Sequence, residues 1–135
     1  MDLFYLIPST VRFFKDLHLP RTIKNLQYLY RGKAIIYGIR CQITNMVYIG
    51  STLVPGRRWH NHLVTGTNSN DALQAAIANH GLSKFTAYVF EGDVAFPAAC
   101  WSKVDKLAFL HKVEQTYINR FPKAQLYNEV NSSNS

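Results

Sequence analysis

The chain has 135 residues, 47% of them apolar, and fifteen lysines and arginines against eight aspartates and glutamates, for a net charge of +7. That length suits one domain around a single core. No apolar run reaches the roughly 18 residues of a membrane-spanning helix. Two isolated cysteines, Cys41 and Cys100, lack metal-type spacing and read as reduced core thiols of an intracellular protein. The basic excess points to a polyanionic partner, nucleic acid foremost.

Residues 1–33 concentrate that charge, with Arg12, Lys15, Arg21, Lys24, Arg31 and Lys33 set against Asp2 and Asp16. The opening "MDLFYLIPSTVRFFKDLHLP" lacks the basic start of a secretory signal. Its arginines fit a mitochondrial presequence, but Asp2, Asp16, Pro8 and Pro20 oppose that reading. The segment is expected to be a basic, aromatic N-terminal extension that docks on its own domain or on a partner. A domain over 34–130 follows, and 131–135 is expected to be a disordered tail.

Along the domain, "KAIIYGIR" and "MVYIGS" are strand-like runs around Thr44-Asn45, a hairpin signal. Pro55 sits where a first helical turn tolerates proline, so "GRRWHNHLV" is predicted as a short helix ended by Gly66. "TNSN" supplies capping residues for "DALQAAIANH", which Gly81 stops. "KFTAYVFE" alternates as a third strand. "VDKLAFLHKVEQTYINRF" is a longer helix ended by Pro122, and "QLYNEV" is a short extended piece. The order β-β-α-α-β-α predicts an α+β fold, a small three-stranded antiparallel sheet flanked by helices.

The spacing Tyr37…Tyr48-Ile49-Gly50-Ser51…Arg58…His62…Leu73-Gln74…Glu114…Tyr127-Asn128 resembles the GIY-YIG nuclease superfamily, over roughly residues 34–130. The resemblance implies a one-metal phosphodiester hydrolysis. Catalytic roles fall to Tyr37, Tyr48, Arg58, His62, Glu114 and Asn128, and Glu114 is the sole carboxylate ligand of one Mg²⁺ or Mn²⁺ ion. Tyr37, helped by His62, would activate water.

Elementary chemistry bears on each member. Tyr37 and Tyr48 lie on neighbouring strands, where they can face one pocket. A phenol is a poor base until cations lower its pKa. Arg58 and His62, four apart on one helix, put a permanent cation beside a group that titrates near neutrality. Glu114 interrupts the apolar stripe of Leu107, Leu110, Tyr117 and Ile118, so its carboxylate needs a partner, either a divalent ion or a lysine at the stripe's edge. His60 and His62 point about 200° apart and do not chelate. Trp59 and Leu63 read as core contacts. Arg57, Arg58, Ser51, Lys15, Lys24, Arg31 and Lys33 are the expected nucleic-acid contacts.

Three features depart from the family pattern. The first motif reads Ile35-Ile36-Tyr37 without its glycine, which is expected to crowd the strand. Asn68 stands where homing members carry histidine. The chain closes seven residues after Asn128, with no following DNA-binding module expected. The function expected is a Mg-dependent DNA endonuclease of mobile-intron origin, with a mitochondrial location. The alternative is a domesticated domain that binds RNA or DNA without turnover, for example within an organellar ribosome.

Overall fold

A computed structural model describes residue 7, residues 10–98 and residues 101–128. Cys100 and the 131–135 tail lie outside the described residues. The elements are β1 (Arg12–Phe14), α1 (Pro20–Leu29), β2 (Ile35–Cys41), β3 (Val47–Thr52), α2 (Pro55–His60), α3 (Asp71–His80), β4 (Phe85–Glu91) and α4 (Lys103–Ile118). From β2 onward this is the expected β-β-α-α-β-α order.

The sheet has four strands in the order β1-β4-β2-β3, all antiparallel, rather than three. The added strand is β1, whose Phe13 pairs with Tyr88. Three residues are too few to show an alternation. The extension therefore docks on its own domain. It continues into α1, which has Pro20 in its first turn, where the missing N–H costs nothing.

Period-two alternation sorts the sheet into two layers. Ile35, Tyr37, Ile39, Phe85, Ala87 and Val89 face one side, where they join Ile23, Leu26, Trp59, Leu63 and Leu73 from the helices α1 to α3 and the turn after α2. Ile36 meets Leu110 and Val113 of α4 on the other side, and Val47 and Ile49 meet Ile118 there. The central strand β2 is consequently buried along its whole length. Ile35, in the place of the motif's glycine, is fully buried in the cluster that includes α1. Cys41 is a buried free thiol. Among the described residues no helix is long and apolar enough to cross a membrane.

Candidate active site

The hairpin sets the floor. Tyr37 lies opposite Gly50, and Tyr48 opposite Ile39, so the two tyrosines are diagonal neighbours on one face. Their ring centroids are 6.3 Å apart. A Cβ on Gly50 would lie 2.5 Å from the Tyr37 hydroxyl oxygen, so the bare glycine is what lets the phenol lie across β3. Trp59 packs against the Tyr37 ring at 4.7 Å.

The α2 segment supplies the next two groups. Helix α2 runs directly into a π-helical turn, Asn61–Thr65, closed by Gly66 at φ 69°. The single helix expected here is thus two pieces, and wide turns of this kind recur at functional sites. Arg58 stays half-buried beside both phenols and donates from Nη1 to the Asn68 carbonyl oxygen. Asn68 holds a left-handed backbone, φ 51°, which asparagine adopts more readily than most residues. It therefore serves the site through its backbone carbonyl.

His62 is buried and bridged. Its Nε2 lies 2.6 Å from the Tyr37 hydroxyl, and its Nδ1 lies 2.6 Å from Ser69 Oγ. Gln74 Nε2 donates to Ser69 Oγ and to the His62 carbonyl, each at 2.8 Å. Sequence reasoning assigned Ser69 no part. Its only signal was a hydroxyl one helical turn or two beyond His62, in a stretch already read as caps. The cap is Asn70, which accepts from Leu73 N–H and donates to the Tyr127 carbonyl.

Glu114 approaches from the opposite face of the sheet, at the β3 edge. Ser51 Oγ donates to its Oε1 at 2.7 Å. Among the described residues no lysine acts on it. Ser51, expected among the nucleic-acid contacts, donates its hydroxyl hydrogen to this carboxylate. Asn128 clamps the same edge strand, accepting from Ile49 N–H at 2.9 Å and donating to the Ile49 carbonyl at 2.7 Å. It thereby satisfies backbone groups that an edge strand leaves open. Asn128 is thus a positioning residue for β3.

Burial, more than charge, sets the protonation states. Tyr37 is pushed well above the ordinary phenol value by burial and by Tyr48, which together outweigh Arg58. Tyr48 is raised by burial against the opposing pull of Arg58. Arg58 does pull both phenols down, as a neighbouring cation should, but burial outweighs it. Nor does His62 titrate near neutrality: burial first, and Arg58 second, lower it to about 3. Glu114 is raised by burial, opposed by Ser51, His111 and Arg58.

One consequence concerns acid stability. Between the unfolded value of 6.5 and the folded value of about 3, only the unfolded chain protonates His62, so stability falls as pH falls through that window. From pH 7 to about pH 4.5 the residue should cost about 2–3 kcal/mol. Urea unfolding at the two pH values should show that decline in the native protein and not in His62→Gln.

The other expected nucleic-acid contacts are dispersed. Arg57 is exposed on α2 next to the site. Lys15, Lys24, Arg31 and Lys33 are exposed on and around β1 and α1. His60 is exposed while His62 is buried, so the two do not converge. Among the described residues no group of three or more His, Cys, Asp or Glu is placed to hold a metal.

Residues 33–128 match the family model of the GIY-YIG catalytic domain. The chain is also 32% identical over 121 residues to a Neurospora crassa protein named "Probable intron-encoded endonuclease 1". That match covers 90% of this chain and 38% of the relative, so the chain spans well under half of the relative's length. No solved structure matches it. With the family model covering most of the chain, the chain belongs to the GIY-YIG catalytic domain family.

Proposed function

We propose that the protein is a metal-dependent endonuclease that hydrolyses phosphodiester bonds in DNA. The observation that carries this reading is convergence. The Tyr37 and Tyr48 rings lie 6.3 Å apart with Arg58 beside both, and Glu114 of α4 reaches the same hairpin through Ser51, next to the Gly50 that the Tyr37 hydroxyl crosses.

In this reading Arg58 binds a non-bridging phosphate oxygen and stabilises the negative charge that grows there. Tyr37 is fully buried, so a water molecule cannot reach it from solvent. Orienting the attacking water falls instead to Tyr48, the more exposed phenol. Tyr37 acts behind it as a positioning residue. In the tautomer with Nδ1–H donating to Ser69, neutral His62 accepts the Tyr37 hydroxyl hydrogen at Nε2. That fixes the Tyr37 ring, and through it the Tyr48 ring beside it.

Glu114 fits a single hard cation such as Mg²⁺ or Mn²⁺. Its carboxylate is partly desolvated, is steered by Ser51 and faces no lysine, and one carboxylate completed by water and phosphate oxygens is the usual magnesium arrangement. When bound, the ion supplies Lewis-acid stabilisation of the developing charge. The name of the Neurospora crassa relative supports a mobile-intron origin. A mitochondrial location belongs to the same proposal.

Incubation of the purified protein with supercoiled plasmid tests the reading. Nicking in Mg²⁺ that disappears in excess EDTA is expected. Intact plasmid under both conditions, with tight binding to RNA, would overturn it in favour of a binding protein.

A further inference from the structure

The N-terminal elements carry a second surface, outside the catalytic pocket. Helix α1 buries Ile23 and Leu26 against the core, with Tyr30 just beyond its end. Its opposite stripe, at spacings of three and four, is Arg21, Lys24 and Tyr28, continued by Arg31 past the helix end. All four are exposed, and Tyr28 is 75% exposed. No acidic residue lies in Pro20–Leu29.

At the start of α1, Arg21 also lines a cleft of about 450 Å³ with Phe13, Phe14, Lys15, Thr22 and Asn25. Lys15 leans over the Phe13 ring at 5.7 Å. The surface is rigidly tied to the site: Gln27 Nε2 donates to the Gly56 carbonyl of α2, two residues before Arg58.

A merely solvated basic face is the bland reading. Such faces usually intersperse both signs of charge, and this one does not. Arg21 to Tyr28 spans about 10 Å along the helix, within reach of neighbouring phosphates on one strand.

We infer that the α1 stripe, with the Phe13–Arg21 cleft, is a docking surface for the phosphate backbone of the DNA flanking the cut. Arg21, Lys24, Arg31 and Lys15 each meet a phosphate, and the Tyr28 hydroxyl donates to another. The surface holds the duplex while α2, tied to the same helix, presents Arg58. It supplies affinity rather than base readout. The choice of DNA rests on the endonuclease reading, whereas the surface itself does not.

Binding of a fluorescein-labelled DNA duplex of about 30 base pairs, titrated in EDTA over a series of KCl concentrations, tests it. Arg21→Gln/Lys24→Gln/Arg31→Gln should bind at least about tenfold more weakly, with a log–log salt slope shallower by about 2.7, or 0.9 per phosphate contact. Its melting temperature should stay near the native one, because the three side chains are exposed. Tyr28→Phe should weaken binding several-fold and leave the slope unchanged. Native affinity and slope in the triple variant would overturn the surface. A loss seen on an RNA duplex and not on DNA would overturn the choice of partner. Plasmid nicking by the native protein is scored separately, so an inactive protein with the expected slope change would sink the nuclease reading and leave this surface standing.

Discussion

Gly50→Ala should cost the protein about 3 kcal/mol or more of stability and remove its activity. The added methyl carbon would sit 2.5 Å from the Tyr37 hydroxyl oxygen, 2.7 Å from Cζ and 3.0 Å from Tyr48 Cε2. Real Cβ atoms do not come so close, so something has to move. Tyr37 has nowhere to go. It is fully buried, Trp59 lies 4.7 Å from its ring, and His62 holds its hydroxyl. Relief must come from β3 itself, whose outer edge Asn128 and Tyr127 have tied through Ile49 and Val47. Gly56→Ala is the matched control. A Cβ there meets only Gln27 Cγ at 3.9 Å, an ordinary contact, and an alanine in helix α2 should be neutral or mildly stabilising. Urea midpoints of the two variants, measured beside the native protein, should separate widely. A Gly50→Ala protein that unfolds at the native midpoint would mean that the glycine is not there to admit the phenol.

The hairpin was legible because Ile35–Cys41 and Val47–Thr52 are long enough to show a strand pattern around Thr44-Asn45, and the turn does fall there, with Asn45 in a left-handed conformation. Helix α3 was legible through its punctuation: Asn70 caps its start and Gly81, at φ 86°, ends it. The ordered spacing of tyrosines, arginine and glutamate identified which side chains to bring together.

Three things could not be read in that way. Strand β1 exists only because Phe13 finds Tyr88, 75 positions later, on an open edge of β4. The spacing of Ile23, Leu26 and Tyr30 was present in the sequence, but the charge of the segment invited its reading as an appendage. The electrostatics went furthest astray. Arg58 pulls each phenol down, but whether that pull outweighs burial depends on how dry the pocket is, and that dryness comes from packing by Trp59, Leu63 and α1, which no local pattern reveals. Ser69 and Gln74 went unassigned for a related reason. Their value lies in hydrogen bonds to His62, made across a π-helical turn whose geometry the helical spacing rule does not describe.

The central claim is that the charge on Glu114 serves phosphodiester cleavage rather than the fold. Glu114→Gln isolates it. The amide keeps the volume and can still accept from Ser51 Oγ, while the negative charge is gone. Burial already disfavours the charged form of Glu114, so neutralising it should leave the melting temperature unchanged or slightly raised. Loss of several kcal/mol of transition-state stabilisation corresponds to a drop in rate of about a thousandfold. The deciding measurement is the single-turnover plasmid nicking rate in saturating Mg²⁺, for the native protein and Glu114→Gln, with DNA affinity and melting temperature recorded on the same preparations. The rate should fall about a thousandfold while affinity and melting temperature hold. Equal nicking rates in the two proteins would contradict it.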